Sequence, residues 1–127
     1  MKEYCVDLEL AVELKKKGFP QETEFYFVCK HLEDKLMASY ANSHNKVYSA
    51  PIAEEILKEL PDIIIDSLWG EFKIAVKKIT SEYNVMYYIP GDWDSDMILK
   101  EKICNDKKLS NALAKMYLYL KKEGYIK

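Results

Sequence analysis

The stretch between Pro61 and Pro90 constrains the fold most, because it holds three strand-like segments joined by tight connections. The segments are residues 62–69 (DIIIDSLW), 71–80 (EFKIAVKKIT) and 83–89 (YNVMYYI). In the second segment large apolar side chains alternate with lysine and alanine, which is typical of an antiparallel strand with one buried face. Gly70 and Ser81-Glu82 supply the connections. The sequence therefore predicts an antiparallel meander that Pro61 and Pro90 bound.

Three segments around this meander carry the apolar periodicity of helices, and they are residues 7–18, 51–60 and 109–124. Asp7 is placed to cap the start of the first helix, and Gly18 to cap its end. Pro51 suits the first turn of the second helix. Gly124 is the expected C-terminal cap of the third helix.

Residues 24–32 (EFYFVCKHL) favour a strand that is covered on both sides, because apolar side chains occupy both of its faces. Residues 35–41 are ambiguous, and a hairpin with the preceding strand through Glu33-Asp34 is one interpretation. The combined order of elements predicts a single α+β domain over residues 1–127. We expect an antiparallel sheet of four or five strands packed by two or three helices.

Composition excludes several classes of protein. The chain of 127 residues carries a formal net charge of −2, so it lacks the basic excess of a typical duplex-DNA binder. The three cysteines, Cys5, Cys29 and Cys104, are an odd number without C-x-x-C spacing, which favours reduced thiols. The first residues, MKEYCVDLEL, do not resemble a signal peptide, and no apolar run has the length of a membrane span. The sequence therefore predicts a cytoplasmic protein without a membrane partner.

The stretch 91–96 (GDWDSD) resembles the beginning of a calcium loop. An EF-hand that starts at Asp92 requires glycine at its sixth position and glutamate at its twelfth. Those positions hold Met97 and Ile103. We therefore interpret Asp92, Asp94 and Asp96 as an acidic turn and predict no metal site there.

No motif indicates an enzyme. Cys29 and His31 lie two residues apart on one strand face, but the sequence names no further zinc ligands. Neither a G-x-S-x-G nucleophile motif nor a glycine-rich phosphate loop is present. The prediction is a protein without catalytic residues and without a cofactor, although a spatial arrangement of Cys29, His31 and a carboxylate stays open.

Two surfaces are candidates for binding. Trp69 and Trp93 flank the meander, and together with Tyr87 and Tyr88 they form a candidate protein-interaction surface. Lys73, Lys77 and Lys78 lie on or beside a strand, near several tyrosines. These lysines form a candidate nucleic-acid face. Other lysine tracts, among them Lys15–Lys17 and Lys121-Lys122, are explained by their places at helix ends.

Four motifs extend over most of the chain. They are L-x-x-x-L-K-x-x-G at residues 10–18, P-Q-E-T-x-F-Y-x-V at 20–28, Y-x-A-P-x-x-x-E-x-L-x-x-L-P at 48–61 and A-x-A-K-M-x-x-Y-L at 112–120. Together they resemble a group of small uncharacterised proteins encoded in phages and prophages of Firmicutes and related gut bacteria. These motifs consist of caps, turns and helix faces, so the resemblance implies no activity or site residues. It implies an origin in a mobile element and a cytoplasmic location.

We expect a non-enzymatic phage or prophage accessory protein that binds a host or phage protein. The alternative is a protein associated with nucleic acid through the lysine and tyrosine strand face. A homodimer stays open as well, because aromatic residues, which are abundant here, are common at interfaces.

Overall fold

A computed structural model describes residues 4–30, 33–38, 47–91 and 97–127, with three α-helices and eight β-strands in those ranges. The helices are α1 (Leu8–Lys16), α2 (Ala53–Glu59) and α3 (Leu109–Lys122). The strands are β1 (Phe25–Lys30), β2 (Glu33–Ala38), β3 (Val47–Ser49), β4 (Ile63–Asp66), β5 (Gly70–Ile79), β6 (Glu82–Ile89), β7 (Met97–Ile98) and β8 (Cys104–Asp106). A short 3-10 turn, Leu99–Glu101, connects β7 to β8.

The central sheet has five antiparallel strands, and β4, β5 and β6 form the predicted meander. The far side of β6 is shared, because β7 pairs with its end and β8 with its beginning. One face of this sheet is apolar and buried, with Phe72, Val85 and Tyr87 pointing inwards. We call this the inner face and the opposite one the outer face.

A second sheet of three strands, in the order β2-β1-β3, lies apart from the central one. This differs from the single predicted sheet, because both edges of β1 are already occupied by β2 and β3. Adjacent Tyr26 and Phe27 are both buried, which confirms a strand covered on both sides. Lys30 pairs with Glu33, so Glu33 and Asp34 belong to β2 and the predicted turn at these two residues is wrong.

A single hydrophobic core joins both sheets to the three helices, and it makes the chain one α+β domain as predicted. The helix α3 contributes most, with Leu113, Met116 and Leu120 buried on the predicted apolar face. Asn111 and Ala114 are buried as well, because α3 contacts α1, α2 and the central sheet on different sides. This helix is therefore the centre of the molecule.

Two helix ends follow the sequence prediction and one does not. Gly18 and Gly124 adopt positive φ angles of 86° and 85° after α1 and α3, and the N–H of the next residue reaches back to the last helical turn. Asp7 precedes α1 but makes no side-chain cap hydrogen bond. Its carboxylate accepts hydrogen bonds from Lys108 and Asn111 instead, so the predicted capping role of Asp7 is wrong.

The strand predicted at residues 62–69 is shorter than expected. It ends at Asp66, because a carboxylate oxygen of Asp66 accepts hydrogen bonds from the N–H groups of Leu68 (2.8 Å) and Trp69 (3.1 Å). Side chains of this kind stabilise turns in place of an extended backbone. Trp69 therefore belongs to the turn between β4 and β5.

Candidate functional site

The most exposed apolar side chains of the described ranges include four that fall within seven consecutive residues. They are Ile63 (44% exposed), Ile65 (75%), Leu68 (84%) and Trp69 (61%). Single exposed apolar residues are ordinary on protein surfaces, whereas several large ones in one short segment make that segment a candidate interaction site. We call these four residues the β4 surface.

A cleft of about 770 Å³ adjoins the β4 surface at Trp69. Its floor contains Phe72 and Leu99, which are both buried. Its apolar walls are Trp69, Met97, Ile98 and Ile103, and its charged lining consists of Asp66, Lys100 and Glu101. We call it the Trp69 cleft, and its apolar residues suit contact with an apolar side chain of a partner.

The backbone is strained where the 3-10 turn lines this cleft. Lys100 and Glu101 have φ angles of 53° and 55°, in the left-handed region that costs a residue with a Cβ about 1 kcal/mol or more. Two consecutive residues in this region make the chain turn sharply between β7 and β8. Ile103, which follows this turn, lines the same cleft as Trp69.

The structure separates the four residues of the aromatic surface that the sequence predicts. Trp69 is exposed, and Tyr88 is half-buried on the outer face. Tyr87 is 1% exposed and its hydroxyl donates a hydrogen bond of 2.6 Å to the carbonyl of Pro61. Burial, together with the nearby charge of Asp62, raises the pKa of Tyr87. The assignment of Tyr87 to a surface is wrong, and Trp93 lies outside the described residues.

The three lysines of the predicted nucleic-acid face do not share a face. Lys73 and Lys77 point outwards, whereas Lys78 lies on the inner side because successive strand residues alternate. Lys77 lies 5.9 Å from the ring centroid of Tyr88, and Lys78 lies 5.4 Å from that of Tyr83. These cation–π contacts cover tyrosine faces that stacked bases would need. The prediction that all three lysines share one basic face is therefore wrong.

Lysines do converge elsewhere, in a cleft of about 450 Å³ between the end of α1, β8 and α3. Lys17, Lys102, Lys115 and Lys122 line it with Tyr119 and one acid, Glu13. Lys115 contacts Asp106 at 3.0 Å, and Lys102 lies 5.2 Å from the centroid of the Tyr119 ring. Sequence reasoning missed this lysine cleft, because its residues are scattered along the chain and two of them belong to helix-end tracts.

The described thiols are buried. Desolvation raises the pKa of Cys5 and of Cys104, although nearby lysines act in the opposite direction. A buried thiol with a raised pKa is not a nucleophilic thiolate at neutral pH. Among the residues that the structure describes, no group of three His, Cys, Asp or Glu side chains is arranged to hold a metal.

Several residues from the metal and catalytic hypotheses cannot be placed. His31, His44 and the acids Asp92, Asp94 and Asp96 lie outside the described residues, and the side chain of Cys29 does too. The expectation that neither calcium nor zinc binds at these residues therefore stays a prediction.

Sequence reasoning also missed the three apolar residues that accompany Trp69 on the β4 surface. A run of three isoleucines predicts a strand but not which of its side chains are exposed. The available signal was the pair Asp62 and Asp66, because acids on both sides of a short apolar run are typical of a strand at a sheet edge.

Comparisons with protein-family models, with curated proteins and with solved structures find no match to this chain. In the described ranges, the helices are all too short or too polar to cross a membrane.

Proposed function

We propose that this protein is a non-enzymatic protein-binding module that uses the β4 surface and the Trp69 cleft. The observation that carries the proposal is the exposure of Trp69 at a cleft with an apolar floor, with Ile63, Ile65 and Leu68 exposed close to it in the chain. Tryptophan is enriched among the residues that dominate binding energy at protein interfaces. A partner that covers these side chains removes large apolar groups from water, which favours association.

The strained turn supports the same location. Backbone strain at Lys100 and Glu101 is retained where the surrounding structure compensates for it, and such strain clusters at functional sites. We place this module in the cytoplasm, as an accessory protein of a phage or prophage with a host or phage protein as its partner. The sequence motifs support this biological setting.

Association with nucleic acid is the second candidate. The observation that favours it is the lysine cleft, where Lys17, Lys102, Lys115 and Lys122 meet. Such a cluster attracts the phosphates of nucleic acid, and binding of this kind weakens as salt concentration rises. The balance of charge in the whole chain favours the protein partner.

The test is an affinity capture from host lysate with three versions of the tagged protein. They are the wild type, Trp69→Ser and the double variant Lys102→Ala with Lys122→Ala. Half of each lysate is treated with nuclease. We expect a partner that survives nuclease, is retained by the double lysine variant and is lost from Trp69→Ser.

Each variant is the control for the other, and circular dichroism confirms that both are folded. A partner set that vanishes with nuclease and with the double lysine variant contradicts the proposal and favours nucleic acid. A nuclease-resistant partner that Trp69→Ser retains shows that the surface lies elsewhere.

A further inference from the structure

The strand β4 forms one edge of the central sheet, and among the described residues it pairs only with β5. The N–H of Ile74 donates a hydrogen bond of 3.2 Å to the carbonyl of Asp62. In an antiparallel ladder, alternate residues direct their backbone groups to the same neighbour. Asp62, Ile64 and Asp66 therefore face β5, while the N–H and C=O groups of Ile63 and Ile65 point to the open side.

The side chains at this edge follow the same alternation. Ile63 and Ile65 are exposed on the outer face, whereas Ile64 is buried on the inner face. Asp62 and Asp66 lie on the inner side at either end of the three isoleucines. The strand β4 contains no lysine, proline or bulge, so its protection against unspecific pairing consists of its short length and the acids at its two ends.

The acids argue against the register of self-pairing that brings the three isoleucines of two copies fully together. Antiparallel self-pairing centred on Ile64 places Asp62 of each copy opposite Asp66 of the other. Like charges directly opposite each other on paired strands destabilise the pairing. The same acids attract a strand that carries basic residues at those two positions.

We propose that the β4 edge binds an extended segment of the partner with the pattern basic, apolar, any residue, apolar, basic, as an added strand. This inference rests on the proposed function and names the partner's chemistry. The two apolar residues lie against Ile63 and Ile65 on the outer face. The two basic residues lie opposite Asp62 and Asp66, and the backbone groups of Ile63 and Ile65 complete the ladder.

The test uses a fluorescent peptide with the core Lys-Val-Thr-Val-Lys, measured by anisotropy against the purified full chain. Control peptides carry Glu-Val-Thr-Val-Glu or Lys-Thr-Thr-Thr-Lys. We expect binding of the first peptide and at least tenfold weaker binding of both controls. Amide hydrogen exchange followed by NMR should show that this peptide protects Ile63 and Ile65, whose amides exchange quickly without it.

Two variants localise the contact. Ile65→Pro removes an outward N–H while the bonds to β5 remain, so we expect at least tenfold weaker binding by a folded protein. Asp62→Lys should lose the first peptide and gain one in which a single end carries Glu. The end that restores binding also gives the strand direction. Leu57→Ser, at an exposed apolar position on α2, is the matched control and should bind as the wild type does.

The inference is overturned if the first peptide fails to bind, or if it protects amides outside β4. Concentration-dependent protection of Ile63 and Ile65 without peptide overturns it too, since the occupant is then a second copy. In each case the loss of the lysate partner from Trp69→Ser would leave the proposed function standing. Conversely, the peptide could bind at β4 while Trp69→Ser retains the lysate partner. That result supports strand addition at the β4 edge and excludes the Trp69 cleft from the proposed function.

Discussion

Asn111 shows how a single buried amide can join distant parts of this chain. It is 2% exposed, and its Oδ1 accepts a hydrogen bond of 2.9 Å from the N–H of Asp7. Its Nδ2 donates to Oδ2 of Asp7 at 2.9 Å and to Oδ1 of Asp106 at 3.2 Å. Buried polar groups are costly unless they are paired in this way. Asn111 therefore fixes the segment before α1 and the end of β8 to the start of α3.

Replacing Asn111 with alanine should lower the free energy of unfolding by about 1–3 kcal/mol, because the partly buried N–H of Asp7 loses its acceptor. Urea unfolding followed by circular dichroism measures the change. Asn105→Ala, at an exposed position of β8, is the control and should change it by no more than about 0.5 kcal/mol. Equal effects of the two substitutions would show that Asn111 does not hold these segments together.

The sequence predicts the burial of Leu113 and Leu120, because they recur on one face of a helix. It does not predict the role of Asn111, since its partner Asp7 lies 104 residues away. Local periodicity contains no information about a contact of that range. Trp69 is a similar case, because its type suggests either core or surface and only the turn at Asp66 decides for the surface.

At the scale of elements, Glu55 fixes α2 through two hydrogen bonds, one at the helix start and one just before β1. Oε1 of Glu55 accepts a hydrogen bond of 3.0 Å from the N–H of Ile52, which precedes the helix. Oε2 accepts one of 3.0 Å from the N–H of Glu24, just before β1. Glu55 thus satisfies a free donor at the start of α2 and joins this helix to the three-stranded sheet.

Glu55→Ala should therefore lower the free energy of unfolding by about 1–2 kcal/mol, the range typical of a lost helix cap. Thermal and urea unfolding both measure this loss. Glu54→Ala removes a neighbouring acid from the exposed side of the same helical turn and should have a much smaller effect. If Glu54→Ala is as costly as Glu55→Ala, the general attraction of acids to the helix start is responsible and the two hydrogen bonds are not.

Long elements were predictable here and short ones were not. The alternation of β5 and the helical stripe of α3 extend over enough residues to distinguish the two periods. The strands β3, β7 and β8 have two or three residues each, which is too few to show any period. The partition of the strands into two sheets was equally hidden, because it depends on which strands β1 pairs with.

At the scale of the whole molecule, two carboxylates, Asp7 and Asp106, connect the segment before α1 and the end of β8 to α3 through Asn111. Folding lowers the pKa of both. The hydrogen bond from Lys108 lowers the pKa of Asp7, although partial burial acts against it, and Asn111 adds to the lowering. Burial acts to raise the pKa of Asp106, but hydrogen bonds from the backbone of Lys108 and from Lys115 and Asn111 outweigh it. The ionised form of both acids therefore favours the folded state.

This arrangement makes stability depend on pH with a definite sign. Since both pKa values are lower in the folded state, the unfolded chain binds more protons between the folded pKa values and its own value of about 4, and the stabilisation is lost as pH falls through this window. The double variant Asp7→Asn with Asp106→Asn should be less stable than the wild type near neutral pH. Its urea midpoint should approach that of the wild type as pH falls towards about 3. Glu54→Gln is the control and should follow the wild-type curve, whereas a double variant that stays parallel to the wild type throughout would show that these carboxylates do not contribute to acid sensitivity.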